Sequence, residues 1–349
     1  MDQQYTRRLE KIETVLNRWL PENMASPINS GFSWISEVFP GLAGSVQPQL
    51  LQELTAPCRD LLTRGGKRWR PLLMTLVCEA LSGGDAALPL APLVEFCHNA
   101  SLIHDDIEDN ADERRGKPAI HCIYGVDTAI NSGSFLYFLP LACIDAWAEG
   151  NYELKAKAYS LWAAYLRKLH LGQAIDIYWH RNSDVIPSIE EYYTMCALKT
   201  GCLARFAADL GALAADSLSP IPDPRSPIIA EAAEKLGVGF QIMDDVKNLT
   251  TGLPGKKRGD DVVEGKKSLP VLLFLHRHPE KRDLVSRCFT AARNGGVSMP
   301  EVEELIQELH TAGVLAEAEK RGRVLIAEAR AAFSAAEFTL LSGLADHIS

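Results

Sequence analysis

The chain has 349 residues, 47% of them hydrophobic and 23% charged, with 45 acidic against 36 basic side chains for a net charge of −9. That is enough apolar material for a sizeable core, and it excludes bulk disorder. A net acidic chain is a poor general binder of polyanions, which argues against a nucleic-acid partner; an anionic substrate has to be held by local basic clusters.

From the N-terminus, residues 1–45 read as a helical extension with a Pro/Gly-rich connection, and 46–349 as one helical domain. The start is charged and has no apolar signal core, and no run approaches ~18 uninterrupted apolar residues, so no transmembrane segment is expected. The eight cysteines, at 58, 78, 97, 122, 143, 196, 202 and 288, form no Cys-x-x-Cys pair, and several sit in apolar stretches. They read as reduced thiols of a cytoplasmic protein. Helical periodicity marks Leu93–Asp109, Leu161–Trp179, Glu190–Leu213, Ile228–Leu249 and Val302–Phe333. Ser217–Pro227, with four prolines, is a loop, and Thr250–Lys267, rich in Gly, Lys and Asp, is expected to be a mobile one. The run Gly252-Leu-Pro-Gly-Lys-Lys has the wrong spacing for a phosphate loop and no Ser or Thr after the lysine.

Two acidic clusters stand out. Residues 102–109 read Leu-Ile-His-Asp-Asp-Ile-Glu-Asp: Asp105 and Asp109 share a helix face, Asp106 sits beside them, and Arg114-Arg115-Gly116-Lys117 follows. A solvated helix end would be the bland explanation. Against it stand the apolar stretch leading into the cluster, His98 two turns earlier on nearly the same face, and the basic run behind it. Carboxylates beside arginines suit a metal–diphosphate site, since Mg²⁺ takes a few carboxylates plus phosphate and water oxygens, and Arg reads phosphate bidentately. Residues 240–249 repeat the arrangement, with Gln241, Asp244, Asp245 and Asn248 on one helix face and the basic loop of Lys256, Lys257, Arg258, Lys266 and Lys267 behind. Two such helices in one chain are expected to face each other across one cavity.

These residues resemble the trans-prenyl diphosphate synthases, most closely the eukaryotic-type geranylgeranyl diphosphate synthases, over roughly Leu61–Leu275. The first aspartate-rich motif is Asp105-Asp106-x-x-Asp109, followed by Arg114-Arg115-Gly116. Upstream lies Gly65-Gly66-Lys67-Arg68-Trp69-Arg70-Pro71 with His98; downstream lie Gly172-Gln173-x-x-Asp176, Lys199-Thr200, the second motif and Glu264-Gly265-Lys266. The second motif departs from Asp-Asp-x-x-Asp in ending on Asn248, which keeps a ligand oxygen but loses a charge.

The resemblance implies an all-α, single-domain helical bundle around a deep central cavity, and a homodimer. It implies a transferase that ionises an allylic diphosphate and adds isopentenyl diphosphate to the cation. Asp105, Asp106, Asp109, Asp244 and Asp245 would hold Mg²⁺, three ions per site. Arg114, Lys199, Lys257 and Lys266 would pair with the allylic diphosphate, Lys257 being taken over Lys256. Lys67, Arg70, His98 and Arg115 would hold isopentenyl diphosphate, and Gln173, Thr200 and Gln241 would present oxygens near the cation or the diphosphate. Small residues at Ala100 and Ser101 leave the upper tunnel open, and Tyr137, Phe138 and His170 would close it lower down, which implies a twenty-carbon product. His104 and His121 are expected to be structural. The competing readings are a synthase of farnesyl or longer chains, a terpene cyclase of the same fold, and a non-catalytic subunit of a heteromeric synthase. A cyclase has no need of the segment 65–70 with His98, and such subunits typically lose one aspartate motif.

Overall fold

The computed structural model describes residues 3–22, 34–42, 46–219, 221–252, 257–336 and 339–348; Lys256 lies outside them. The fold is all-α. In chain order the helices are α1 (Gln3–Trp19), α2 (Trp34–Val38), α3 (Pro48–Thr63), α4 (Trp69–Ala80), α5 (Ala91–Glu108), α6 (Ile120–Tyr124), α7 (Val126–Phe138), α8 (Leu141–Trp147), α9 (Tyr152–Arg181), α10 (Ile189–Cys196), α11 (Cys202–Asp216), α12 (Ser226–Thr250), α13 (Asp260–Glu264), α14 (Leu269–Arg277), α15 (Arg282–Gly295), α16 (Pro300–Thr311), α17 (Val314–Ala335) and α18 (Thr339–Ile348). Among the described residues the β-structure is one hairpin, β1 (Glu113–Arg114) and β2 (Lys117–Pro118), in register Glu113↔Pro118 and Arg114↔Lys117. The chain divides into two compact units, residues 1–164, 206–227 and 346–349 in the first and 165–205 and 228–345 in the second.

The first unit is built on α5, which buries Ala91–Cys97, Asn99, Ala100, Ile103 and Asp106. The extension expected over 1–45 contributes α1 to this core. Its apolar residues Tyr5, Ile12, Leu16 and Trp19 recur at helical spacing and are all buried, while Arg8 and Lys11 pair with Glu79 and Asp85. Val126–Trp147 is long and apolar enough on average to cross a membrane (mean hydropathy 1.2). Half of it is buried inside the protein, and it is two helices, α7 and α8, interrupted at Leu139-Pro140.

The second unit packs α12, α14, α15, α16 and α17. Leu269–Leu275 of α14 are buried without a break among Val238, Ile242, Val246 and Leu249 of α12 and Leu305, Ile306 and Leu309 of α16. Three expectations are corrected here. Val302–Phe333 is two helices, because Gly313 takes φ 70° and ends α16 as an αL glycine does. Glu190–Leu213 is interrupted by a π-helical turn at Ala197–Gly201. Thr250–Lys267 contains a short helix, α13, framed by Gly259 and Gly265 in the left-handed region.

If α1 belongs to the core, Leu16→Ala should lower unfolding free energy by about 2–5 kcal/mol. Equilibrium denaturation measures it; a change within about 0.5 kcal/mol, as at an ordinary surface site, would refute the assignment.

Candidate active site

The first acidic cluster ends α5. Asp105 and Asp109 are half-buried and one turn apart, and Asp106 is fully buried. Carboxylates at a helix C-terminus oppose its dipole, so they need compensation from elsewhere. The hairpin supplies it. Arg115 (φ 55°) and Gly116 (φ 72°) are both left-handed, as a two-residue type I′ turn requires, and the reversal returns Arg114 to α5. Arg114 Nε donates to Asp106 Oδ1 at 2.8 Å, Nη2 donates to the same oxygen, and Nη2 lies 3.5 Å from Asp105 Oδ2. Arg115 holds its left-handed backbone by donating from Nη1 to the carbonyls of Leu61 (3.1 Å) and Gly65.

That contact ties the hairpin to the turn before α4. Gly66 has φ 135°, and a Cβ there would lie 2.9 Å from Arg68 Nη1 and 3.1 Å from Arg115 Nη2. Arg68 is an internal strut: buried, it donates to Glu13 Oε1 (2.7 Å), Glu95 Oε1 (3.0 Å) and the carbonyls of Gly65 and Leu62. Lys67 is exposed, and the half-buried Arg70 stacks its guanidinium over the Trp69 ring at 4.5 Å. Burial, and then the charges of Arg70, Arg115, Arg114 and Arg68, push the His98 imidazole well below its usual range. Arg70, Arg115 and Arg114 lie near enough to His98 to act on it.

In the second unit, Asp244 of α12 is exposed and Asp245 is buried. Asp245 Oδ2 accepts from the Tyr192 hydroxyl (2.6 Å) and the Leu269 N–H (3.2 Å), and Oδ1 from Gln241 Nε2 (2.9 Å). Burial raises its pKa while those donors hold it down. Gln241 Oε1 accepts from Thr200 Oγ1 at 2.8 Å. Because a carboxylate only accepts, the amide of Gln241 can be oriented in one way. Lys199 Nζ pairs with Asp176 Oδ2 at 2.6 Å, both largely buried. Lys266 pairs with Glu264 at 2.5 Å. Gln173 is half-buried on α9, one turn from Asp176, and Lys257 is exposed, its backbone N–H donating to Asp260. Asn248 does not present its oxygen as a ligand: it is buried, and Oδ1 accepts from the Asp261 N–H at 3.1 Å. It anchors the loop behind the motif.

The polyprenyl synthetase family model matches residues 51–309. The chain belongs to that family. A geranylgeranyl pyrophosphate synthase of Penicillium janthinellum is 35% identical over 237 residues, 67% of this chain and 61% of that protein. The chain thus spans less than two thirds of that relative. A geranylfarnesyl diphosphate synthase of Aeropyrum pernix is 32% identical over 285 residues, 79% of this chain and 86% of that one. The crystal structure of a geranylgeranyl pyrophosphate synthetase from Pyrococcus horikoshii matches with a TM-score of 0.76 at 28% identity, covering 99% of each chain. The family and the all-α fold expected from the motifs both hold.

The polyprenyl synthetase motifs are not uniform in this chain. In each, the second aspartate is buried with donors, and the first remains reachable. Asp105 and Asp109 are half-buried and Asp244 is exposed, whereas Asp106 and Asp245 are buried and accept from Arg114 and from Tyr192, Gln241 and the Leu269 amide. Among the described residues, no three His, Cys, Asp or Glu side chains are grouped so as to hold a metal by themselves. A few hard oxygen donors per cluster fit Mg²⁺, which takes its remaining ligands from water and phosphate. The tunnel-floor trio also separates. Tyr137 is buried and stacks on the His104 ring (5.6 Å between centroids), but Phe138 is 59% exposed and His170 is exposed, bonded through Nδ1 to the Leu166 carbonyl. Tyr137 and Phe138 are adjacent on α7 and point ~100° apart, and here the first faces inward and the second outward. His104 Nδ1 bonds the Ala100 carbonyl at 2.9 Å and its Nε2 the Ser134 hydroxyl at 3.3 Å.

The sequence pointed to Lys199 and Asp245 but not to what holds them. Asp176 was legible as a motif residue, without its role as the partner of Lys199. Tyr192 carried no signal, being 53 residues from Asp245. Because Arg114 faces a fully buried Asp106, Arg114→Ala should destabilise the fold by about 3–5 kcal/mol. Asp105→Ala should not destabilise it. Denaturant midpoints compare the two, and equal midpoints would show that Arg114 is not the compensating charge.

Proposed function

We propose that the chain is a prenyltransferase that condenses isopentenyl diphosphate with an allylic diphosphate, assisted by Mg²⁺, and that its main product is geranylgeranyl diphosphate. The observation that carries this is the pair Asp105 and Asp109, reachable and one turn apart, beside the hairpin that presents Arg114 and Arg115. Carboxylates next to guanidiniums are unsuited to an apolar or cationic ligand, and they suit a diphosphate bound with a divalent ion.

The barrier lies in the departure of a highly charged diphosphate from the allylic carbon. Mg²⁺ would be held at the first motif by Asp105 and Asp109 and at the second by Asp244, with water and diphosphate oxygens completing its ligands, and would supply charge neutralisation for the leaving group. The protein's own cations would act beside it: Arg114, Lys199, Lys257 and Lys266 would pair with the departing group, and Arg114, Lys199 and Lys266 are held in place beforehand by carboxylates, so that little reorganisation accompanies bond breaking. Lys67, Arg70, His98 and Arg115 hold isopentenyl diphosphate. His98 would donate an N–H to it. The isopentenyl double bond attacks the allylic cation, and the released diphosphate takes the proton. Thr200 has its O–H directed at Gln241, so its oxygen lone pairs are what it offers the cation. Three ions per site and a homodimer follow from the family resemblance, and the free cysteines agree with a reducing, cytoplasmic setting.

Purified protein with Mg²⁺, isopentenyl diphosphate and an allylic primer should yield a twenty-carbon product. No product from any primer would overturn the assignment. Asp105→Ala and Asp244→Ala should each lower turnover by about 10²-fold or more at saturating Mg²⁺; unchanged turnover would remove these carboxylates from the chemistry.

The exposures of Tyr137 and Phe138 yield a sharper test of product length. Tyr137→Ala should extend products past twenty carbons, and Phe138→Ala should leave them as they are. Product chromatography decides, and the reverse pattern would place the floor elsewhere.

A further inference from the structure

The second unit carries an arrangement that the roles of Lys199 and Thr200 do not explain by themselves. The segment Ala197–Gly201 is a π-helical turn, closed by the Cys202 N–H donating to the Ala197 carbonyl five residues back. Such bulges are local departures from the α-helical ladder and recur at functional sites. α9 and α12 both pack against it, and each does so through a glycine. A Cβ at Gly172 would lie 2.5 Å from the Lys199 amide nitrogen and 2.7 Å from the Leu198 carbonyl carbon; a Cβ at Gly237 would lie 2.9 Å from the Gly201 Cα and 3.3 Å from the Thr200 carbonyl oxygen. One turn beyond each glycine stands the side chain that grips the bulge. Asp176 follows Gly172 by four residues and pairs with Lys199 at 2.6 Å. Gln241 follows Gly237 by four residues and accepts from Thr200 at 2.8 Å.

We infer that Gly172 and Gly237 are positioning residues, which let two helices close on the π turn so that Asp176 and Gln241 fix Lys199 and Thr200 for the allylic diphosphate. The spacing makes this work. At the glycines the helix backbones touch the bulge directly, and at the next turn a short polar side chain spans the remaining gap. A methyl group at 172 would force its backbone neighbours to withdraw by about 1 Å to reach ordinary contact. The Lys199–Asp176 bond would then stretch beyond hydrogen-bonding range. Gly201 completes the fit, because α12 presses on it from Glu234 and Val238 at 3.1–3.2 Å from where its Cβ would be.

This rests on the proposed role of Lys199 and Thr200 toward the allylic substrate, and the test separates the two claims. Kinetics are measured for wild type, Gly172→Ala, Lys199→Ala and the double variant, with each substrate varied in turn. Gly172→Ala should lower kcat/KM for the allylic substrate by about 10²-fold, the scale of a 1 Å misplacement, and leave the KM for isopentenyl diphosphate within about twofold. Added to Lys199→Ala, it should cost little more, because its effect passes through that side chain. Full multiplication of the two losses would overturn the inference. A wild-type Lys199→Ala would instead sink the role assigned to Lys199. The same cycle with Gly237→Ala and Thr200→Val tests the other flank. If an alanine variant does not fold, Asp176→Asn keeps the shape and breaks the ion pair. It should reproduce the allylic-selective loss, and wild-type kinetics there would also overturn the inference.

Discussion

A carboxylate taken out of water must be given donors, and the acidic helix ends of this protein are organised by that requirement. Asp106 has Arg114; Asp245 has Tyr192, Gln241 and the Leu269 amide. In both motifs the buried acid is the second of two adjacent aspartates. Adjacent helical residues diverge by ~100°, so turning the second inward leaves the first at a fixed angle on the reachable side. Burying one charge is how the other is aimed. The cost of repulsion within each cluster is offset by elements distant in sequence: the hairpin at 113–118 for the first, α10 and the start of α14 for the second.

The arginines of the first unit show why the basic motif residues are not interchangeable. Arg68 uses its planar fork on two carboxylates and two carbonyls and is committed to holding α1, α4 and α5 together. Arg114 donates to Asp106 and lies near Asp105, and Arg115 ties the hairpin to the turn after α3. A lysine has no such fork geometry. The one lysine of the segment, Lys67, is at the exposed position, where a flexible point charge can follow a substrate. Burial, and after it the field of four guanidiniums, pushes the His98 imidazole well below its usual range, which disfavours a further positive charge in the cluster.

Elements whose identity depends on local pattern were legible in the sequence. The helix ending at Asp109 and the helix Ile228–Leu249 follow from periodicity, and ordered motifs identified the family. Features that depend on distant partners were not legible. Nothing near Asn248 indicates that its oxygen is taken by the Asp261 amide, so it was read as a remaining ligand oxygen. Phe138 and His170 were grouped with Tyr137 because motif matching records residue type, whereas facing is set by helical phase. The break at Gly313 was hidden because a single αL glycine within a helical pattern is tolerated often enough not to mark an end by itself.

Several departures from regular backbone fall at or beside residues proposed for the chemistry. Arg68 (φ 47°) starts α4 between Lys67 and Arg70; Arg115 (φ 55°) is itself a candidate ligand; the π turn carries Lys199 and Thr200; Gly259 and Gly265 frame the segment before Lys266. Left-handed backbone at non-glycine residues costs energy and persists only where surrounding contacts over-determine it. Here those contacts are visible: four donated bonds at Arg68, and two carbonyls at Arg115. A regular α-helix offers a charge-bearing site only every third or fourth residue along one face. Binding a diphosphate requires cations converging from several directions, which regular helices cannot supply by themselves. The regular helices therefore supply rigidity, and the short departures from them supply direction, each stabilised by hydrogen bonds from a neighbouring element.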